Sequence, residues 1–218
     1  MPLAADLSIL PMPQRSLWPE LGHVPREFVL YGGTAVALRF AHRISVDFDF
    51  FSSAPFEPFD LRGSLGPLAA GQILQSRPNT LTLLLDRQGE VKLSLFGGIT
   101  GRVGIPEETA DGAIRVASPL DLLGHKLKVI LQRAEARDYL DIAALIRSGV
   151  PLEQGIGAAA TLFAPGFPVA ECAKALAYFK DIAEPWRLGP RDRDLLIAAV
   201  KGLQQEIPVV PLASRELQ

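Results

Sequence analysis

With 218 residues, a formal net charge of −2 and 48% hydrophobic side chains, the chain carries enough apolar content for a real core, which excludes a wholly disordered protein. Its one cysteine, Cys172, excludes a disulfide scaffold and fits a reducing compartment. The near-neutral charge argues against a general nucleic-acid coat, yet leaves room for a local basic patch that receives one nucleic-acid end.

No membrane span is expected. The longest uncharged run lies between Glu153 and Glu171 and is broken by Gly155, Gly157, Pro165, Gly166 and Pro168. The opening MPLAADLSILPMPQRS lacks a basic stretch followed by a continuous apolar one, so it does not read as a secretory signal, and a soluble cytoplasmic protein is expected.

Composition shifts midway. Residues 1–117 hold most of the Phe and many Gly and Pro among short apolar runs, whereas residues 118–205 are rich in Ala and Leu at helical spacing. The hinge falls near Val116-Ala117-Ser118-Pro119, where Ser118 reads as an N-cap and Pro119 as the first helical position. In chain order, residues 27–31 (EFVLY) read as a strand, Gly32-Gly33 as a break, residues 34–41 (TAVALRFA) as a short helix and residues 45–51 (SVDFDFF) as a second strand. Residues 61–74 read as a helix weakened by Gly63, Gly66, Pro67 and Gly71. Residues 80–85 (TLTLLL) and 90–96 (EVKLSLF) read as strands joined by the turn Asp86-Arg87-Gln88-Gly89, with a further short strand at 114–116. Helices are then expected at 118–133, 135–148, 152–163, 169–180 and 190–205, before a tail marked by Pro208 and Pro211. The expected fold class is α+β, with a small mixed-sheet core in residues 1–117 and a C-terminal helical bundle in residues 118–218.

The chemistry-bearing stretch is YGGTAVALRFAHRISVDFDFF, Tyr31 to Phe51. Residues two apart on a strand share a face, so Asp47, Asp49 and Phe51 lie on one side and Val46, Phe48 and Phe50 on the other. Two carboxylates held so close repel one another, and a divalent cation such as Mg²⁺ or Mn²⁺ relieves the conflict because hard cations take oxygen ligands. Taken alone, the pair reads rather as an edge strand with a solvated acidic face. Gly32-Gly33 stands 14 residues before Asp47, after a strand and before a helix, where glycines let a backbone approach a phosphate and the helix offers free N–H donors. Alone, that pair reads rather as a tight strand-to-helix turn. Together, the elements place a phosphate cradle beside a metal site, as nucleotidyl transfer requires. Thr34 would add a hydroxyl, and Arg39, His42, Arg43 and Ser45 stand where triphosphate or acceptor would be met, although Arg39 and His42 fit exposed helix-end cations as well.

The run GG-T…HR-x-S-x-D-x-D-F-F resembles the AbiEii/AbiGii-type toxin nucleotidyltransferases of the DNA polymerase β-like superfamily. Pro119-Leu120-Asp121-Leu122-Leu123-Gly124-His125-Lys126-Leu127, then Arg133, then Arg137-Asp138-Tyr139-Leu140-Asp141-Ile142, is similar to that family's lysine helix and R-D-x-x-D helix. The resemblance spans roughly residues 28–148. It implies that Gly32, Gly33 and Thr34 hold nucleotide phosphates, that Asp47 and Asp49 bind the metal, that Lys126 contacts the nucleotide and that Asp138 or Asp141 is the late acidic residue of the site. It also implies a nucleoside triphosphate as substrate, an RNA acceptor (most plausibly a tRNA 3′ end), a cognate antitoxin as partner and a helical domain that contributes to the cleft.

One departure bears on activity. Many transferases of the superfamily take a third carboxylate from a later strand, and here that position reads Ser94, a far weaker Mg²⁺ ligand. Asp86 or Glu90 would replace it from nearby, Asp138 or Asp141 would complete the site, or catalysis is weak or lost. Blander roles exist in the helices too: Lys126 sits beside the stripe Leu123, Leu127, Ile130, Ala134, and Arg137 and Asp141 have the spacing of a surface ion pair. Three functions follow. The first is a toxin-type nucleotidyltransferase acting on RNA. The second is the same chemistry on a cationic small molecule such as an aminoglycoside, or on a protein hydroxyl. The third is a degenerate relative that binds nucleotide or antitoxin without turnover.

Overall fold

Alternating apolar runs need neighbours on which to bury one face, and the first part of the chain supplies them as a mixed sheet. In the computed structural model, which describes residues 2–218, the elements are α1 (Met12–Leu17), β1 (Val29–Tyr31), α2 (Gly32–Phe40), β2 (Asp47–Phe51), α3 (Pro58–Ser64), β3 (Gln72–Arg77), β4 (Thr80–Asp86), β5 (Glu90–Phe96), β6 (Glu107–Glu108) and β7 (Arg115–Val116). The strands lie in the order β3-β4-β5-β2-β1-β7-β6. β1 pairs antiparallel with β2 and parallel with β7, β2 pairs parallel with β5, and the remaining pairs are antiparallel.

Register carries one apolar face across the central strands. Phe48 stands beside Leu93 and Phe50 beside Leu95, while Leu81 and Leu83 face Leu95 and Leu93 from the other side. All six are fully buried. At roughly 1.5–3 kcal/mol for each such side chain, this face is a main source of the unit's stability. Trp18 covers it, its ring 6.4 Å from that of Phe48 and its indole N–H donating to Asp111 at 2.7 Å. The opposite face of β2 and β5 carries Asp47, Asp49, Lys92 and Ser94.

The single helix expected over residues 61–74 is replaced by three pieces: α3, a 3-10 turn Gly66–Ala70 and the edge strand β3. The breakers prevail over apolar content there. Gly66 takes φ +54° and Pro67 follows it, so the helix cannot run on. Val46 lies outside β2 and is 56% exposed, so it does not join Phe48 and Phe50 in the core.

The second unit is helical, with α4 (Pro119–Ile130), α5 (Ala136–Arg147), α6 (Leu152–Leu162), α7 (Val169–Ala177) and α8 (Pro190–Lys201). α4 packs against α5, α6 and α7, burying Leu123, Leu127 and Ile130. α7 and α8 end a few residues before the sequence periodicity does, α8 at Lys201 with Gly202 as its C-cap. The Thr161 hydroxyl donates to the Val210 carbonyl at 2.6 Å and ties the following tail to α6. The chain divides into two compact units, one running through Ser118 together with Ala213–Gln218 and the other Pro119–Leu212. The tail joins the sheet unit through backbone hydrogen bonds such as Gly101 N–H to the Arg215 carbonyl at 2.9 Å.

Candidate active site

The glycine pair lies at the junction of β1 and α2. Gly32 takes φ +72°, and a Cβ there would come within 2.9 Å of Asp49 Oδ2. A side chain at Gly32 would therefore be strained in its backbone and pressed on the carboxylate. A Cβ at Gly33 would come within 2.3 Å of an Arg43 guanidinium nitrogen and 3.0 Å of Ser45 Oγ. The two glycines thus do more than turn the chain: they make room for Asp49, Arg43 and Ser45 at the first turn of α2. Backbone N–H groups of such a first turn have no partner within the helix and favour anions.

Thr34 is buried, and its hydroxyl donates to the Asp47 carbonyl and lies 3.0 Å from Ser45 Oγ. That bond fastens the start of α2 to the start of β2. Asp47 and Asp49 are both partly exposed and stand on one face of β2. Asp47 Oδ2 accepts from Lys92 Nζ at 3.0 Å, with the two side chains 28% and 41% exposed. Ser94 lies directly beside Asp49 in the parallel register but is buried, its Oγ 3.5 Å from Thr82 Oγ. The third position of the acidic face is therefore a neutral hydroxyl. Asp86 and Glu90 do not replace it: both are exposed and oppose each other at the β4–β5 turn, and β2 begins at Asp47 beside Lys92. No group of three or more His, Cys, Asp or Glu side chains gathers as a metal cage among the described residues. The carboxylates of Asp47 and Asp49 are hard oxygen donors beside a glycine corner, a set that fits one divalent cation with phosphate oxygens completing its shell.

Arg39 has a different task from the anion contact open to it in the sequence. Its side chain is 5% exposed, paired with Glu107, and donates from Nε and a terminal nitrogen to the Ala117 carbonyl at 3.1 and 2.8 Å. It clamps α2 to the strand edge that carries β6 and β7.

The helical unit holds a second cluster. Lys126 on α4 donates to Asp138 Oδ1 at 2.7 Å and pairs with Asp141 Oδ2 at 2.6 Å. Both carboxylates have no exposed side-chain surface, and the lysine side chain is 8% exposed. Arg133 adds a bond from Nε to Asp138 Oδ2 at 3.0 Å. Burial by itself would push the Asp138 carboxyl up, but the Lys126 and Arg133 charges outweigh it and hold the group below its ordinary range. Asp141 forms no surface pair with Arg137, whose guanidinium turns to Glu135 at 2.6 Å. His125, next to Lys126, is pushed down to about 4 by burial and packs edge-on to Phe163 at 5.1 Å. Cys172 is buried, which pushes its thiol up to about 12 and leaves it unreactive.

Two contacts escaped the sequence reading. Lys92 and Ser94 were legible as outward residues of their strand, but nothing local reveals that β5 lies beside β2. Arg133 precedes Asp138 by five residues across a helix break, outside the spacings that signal a helical ion pair.

Comparison with known proteins joins the two clusters in one family. Residues 21–167 match the family model described as nucleotidyl transferase AbiEii toxin, type IV toxin–antitoxin system. An uncharacterized protein of Aquifex aeolicus (strain VF5) is 34% identical over 123 residues, which span 56% of this chain and 58% of that protein's length. Among solved structures, MenT4, a nucleotidyltransferase toxin from Mycobacterium tuberculosis H37Rv, shares the fold with a TM-score of 0.56 at 15% identity, over 87% of this chain and 84% of the other. JHP933 from Helicobacter pylori does so with a TM-score of 0.53 at 15% identity, over 86% of this chain and 89% of the other. The matched segment contains the glycine corner, the paired aspartates, the lysine helix and the buried acidic pair, and the chain belongs to the AbiEii nucleotidyltransferase toxin family.

Proposed function

We propose that the protein is a metal-dependent nucleotidyltransferase of the toxin type, which moves a nucleoside monophosphate from a nucleoside triphosphate to an acceptor hydroxyl, with the 3′ end of an RNA such as tRNA as acceptor. The observation that carries this reading is the contact of the glycine corner with the acidic strand, where a Cβ at Gly32 would lie 2.9 Å from Asp49 Oδ2. The glycine corner and the Asp49 carboxylate lie so close there that no side chain fits between them.

In this reading the sheet unit is the catalytic core. The first-turn N–H groups of α2 receive the phosphates, and the Arg43 guanidinium over Gly33 adds a positive charge. Ser45 lies at the same corner, and Thr34 fixes the corner to β2 through the Asp47 carbonyl. Asp47 and Asp49 hold the divalent ion, Mg²⁺ or Mn²⁺, which when bound neutralises charge developing on the triphosphate. The acceptor oxygen bonds to the α-phosphorus, the bond to the bridging oxygen breaks, and pyrophosphate leaves. Lys126 is assigned to the nucleotide. Asp138 fixes its ammonium, since a carboxylate held ionised by two cations is a poor proton acceptor near neutral pH. Asp141, equally sealed and paired with the same ammonium at 2.6 Å, holds Lys126 from the other side. The family's membership in type IV toxin–antitoxin systems makes an antitoxin the expected partner. No helix among the described residues is long and apolar enough to cross a membrane.

Ser94 favours one second reading, a degenerate member that binds nucleotide without turnover. One experiment separates the readings. Full-length protein is incubated with each α-labelled nucleoside triphosphate, Mg²⁺ or Mn²⁺, and total RNA. Label on RNA 3′ ends that disappears in Asp49→Ala supports the proposal. Label that Asp49→Ala leaves unchanged overturns the metal site. Label on an aminoglycoside or a protein in place of RNA reassigns the acceptor, and nucleotide binding with no pyrophosphate in any mixture establishes the degenerate reading.

A further inference from the structure

We infer that the chain self-associates through the outer edge of β3, which pairs antiparallel with β3 of a second copy about a two-fold axis at Leu74, so that Arg77 of each copy enters an acidic cavity of the other. The surface belongs to the sheet unit alone and lies away from the glycine corner.

A strand at the end of a sheet presents a row of backbone donors and acceptors that another strand can take up, and folded proteins usually cover or charge such an edge. This sheet does so at one end. There β6 is two residues long, both acidic, and the N-terminal segment lies against it: the Leu3 N–H donates to the Glu108 carbonyl at 2.8 Å and the Ala110 N–H to the Leu3 carbonyl at 2.9 Å. At the other end β3 runs six residues, all exposed, and no strand among the described residues takes its outer edge. It carries no proline and no acidic residue, and two of its side chains are apolar, Ile73 at 42% and Leu74 at 49% exposed. The register with β4 shifts between Ile73 and Gln75, so Leu74 stands outside that ladder. An antiparallel strand pair about a two-fold axis is self-complementary and sets one residue opposite its own copy. With Leu74 at the axis, Ile73 meets Gln75, Gln72 meets Ser76, and Arg77 comes beside Gly71. The charges fit this register. Gly71 and Gln72 line a cavity of about 340 Å³ with Asp86, Arg87 and Glu90. The Arg87 guanidinium is spent on Glu20, 2.6 and 2.8 Å from its two carboxylate oxygens, whereas Asp86 and Glu90 are exposed and oppose each other. Arg62 donates to the Ala69 and Gly71 carbonyls and does not line the cavity. The lining is therefore acidic, and the cation brought to it is the one at the far end of the copy's own β3. The two ends of one strand thus complement each other, and an antiparallel copy of that strand satisfies both at once. β2 lies three strands in from β3, roughly 14 Å at the usual strand spacing, so the paired aspartates stay clear of the contact. Six residues a side make a small interface and hence a weak dimer.

The test is sedimentation equilibrium of the full chain from micromolar to millimolar concentration, at low and high salt. The wild type is expected to pass from monomer to dimer over that range and to dissociate more readily at high salt. Leu74→Lys sets two ammoniums at the axis, and Arg77→Glu brings a further acid to the acidic cavity. Each is expected to weaken the dimer at least about tenfold without lowering the melting temperature, since both side chains are exposed in the single chain. Adding Glu90→Arg to Arg77→Glu reverses both charges and should recover most of the affinity. Cross-linking reads the register. Opposite residues of an antiparallel pair have Cα atoms about 4.5–5.5 Å apart, within disulfide reach, so Leu74→Cys should form an intermolecular disulfide when oxidised with diamide. Gln72→Cys, whose two copies would stand roughly 14 Å apart, should not. The native Cys172 is buried and stays out of the reaction. A wild type that remains monomeric at millimolar concentration overturns the proposal, as does a dimer that both Leu74→Lys and Arg77→Glu leave intact, which is built on another face. A dimer lost in Leu74→Lys but kept in Arg77→Glu, or one cross-linked through Gln72→Cys in place of Leu74→Cys, overturns the register and the place given to Arg77.

Discussion

Replacing Lys126 by methionine keeps the stem that packs along α4 and removes the ammonium between Asp138 and Asp141. The two carboxylates have no exposed surface and now share a pocket without the cation that lay 2.7 and 2.6 Å from them. Arg133 reaches Asp138 from a side chain that is 45% exposed, and it compensates only part of the loss. Removal of one partner from a buried ion pair costs about 3–5 kcal/mol, because a desolvated charge is left behind. For a chain of this size that is a fall in melting temperature on the order of 10 °C. The pH dependence is the sharper readout. In the wild type the Asp138 carboxyl is held below its ordinary value, so its contribution is present above the unfolded value near 3.8 and fades as pH drops through the lower folded value. In Lys126→Met, burial acts with one cation fewer against it, and the folded Asp138 carboxyl is expected to move above its unfolded value. The variant should then gain stability relative to the wild type as pH falls from 7 to 5. Urea unfolding at several pH values, followed by circular dichroism, measures both. A loss under about 1 kcal/mol at pH 7, with no gain toward pH 5, would refute the claim that the lysine neutralises a sealed acidic pair.

Two further outcomes follow from the same geometry. Gly33→Ala places a methyl group 2.3 Å from the Arg43 guanidinium nitrogen, so the arginine must move off the first turn of α2; nucleotide affinity measured by calorimetry should fall at least about tenfold while Arg43→Ala on the Gly33→Ala background adds little. His125 is held down to about 4 by burial, below its unfolded value near 6.5, so the folded state resists its protonation. Stability should therefore decline as pH falls from about 6.5 to 4, by up to roughly 3 kcal/mol, and His125→Phe should abolish that part of the slope in urea unfolding.

Much of the secondary structure follows from neighbours along the chain. The alternation of Phe48 and Phe50 against Asp47 and Asp49, and of Val91, Leu93 and Leu95 against Glu90 and Lys92, sets which face of each strand is buried, because side chains on a strand point to opposite sides in turn. The glycine pair after β1 ends a strand and opens a helix, and the apolar stripe of α4 is the one the 3.6-residue period marks, with Leu123, Leu127 and Ile130 buried. Residues 61–74 do not form one helix because the Gly66-Pro67 break outweighs their apolar content, ending the helix and freeing β3.

The α+β class, the two strand faces, the glycine corner and the helical second half are written in local patterns, since periodicity and chain-breaking residues act over a few positions. The folded chain brings β5 beside β2, so that a lysine 45 residues away meets Asp47 and a serine meets Asp49. It alone turned Arg39 inward to the Ala117 carbonyl and closed Lys126 over two sealed acids. These are pairings between segments distant along the chain, and their partners are chosen by sheet order and helix packing, which no local pattern encodes.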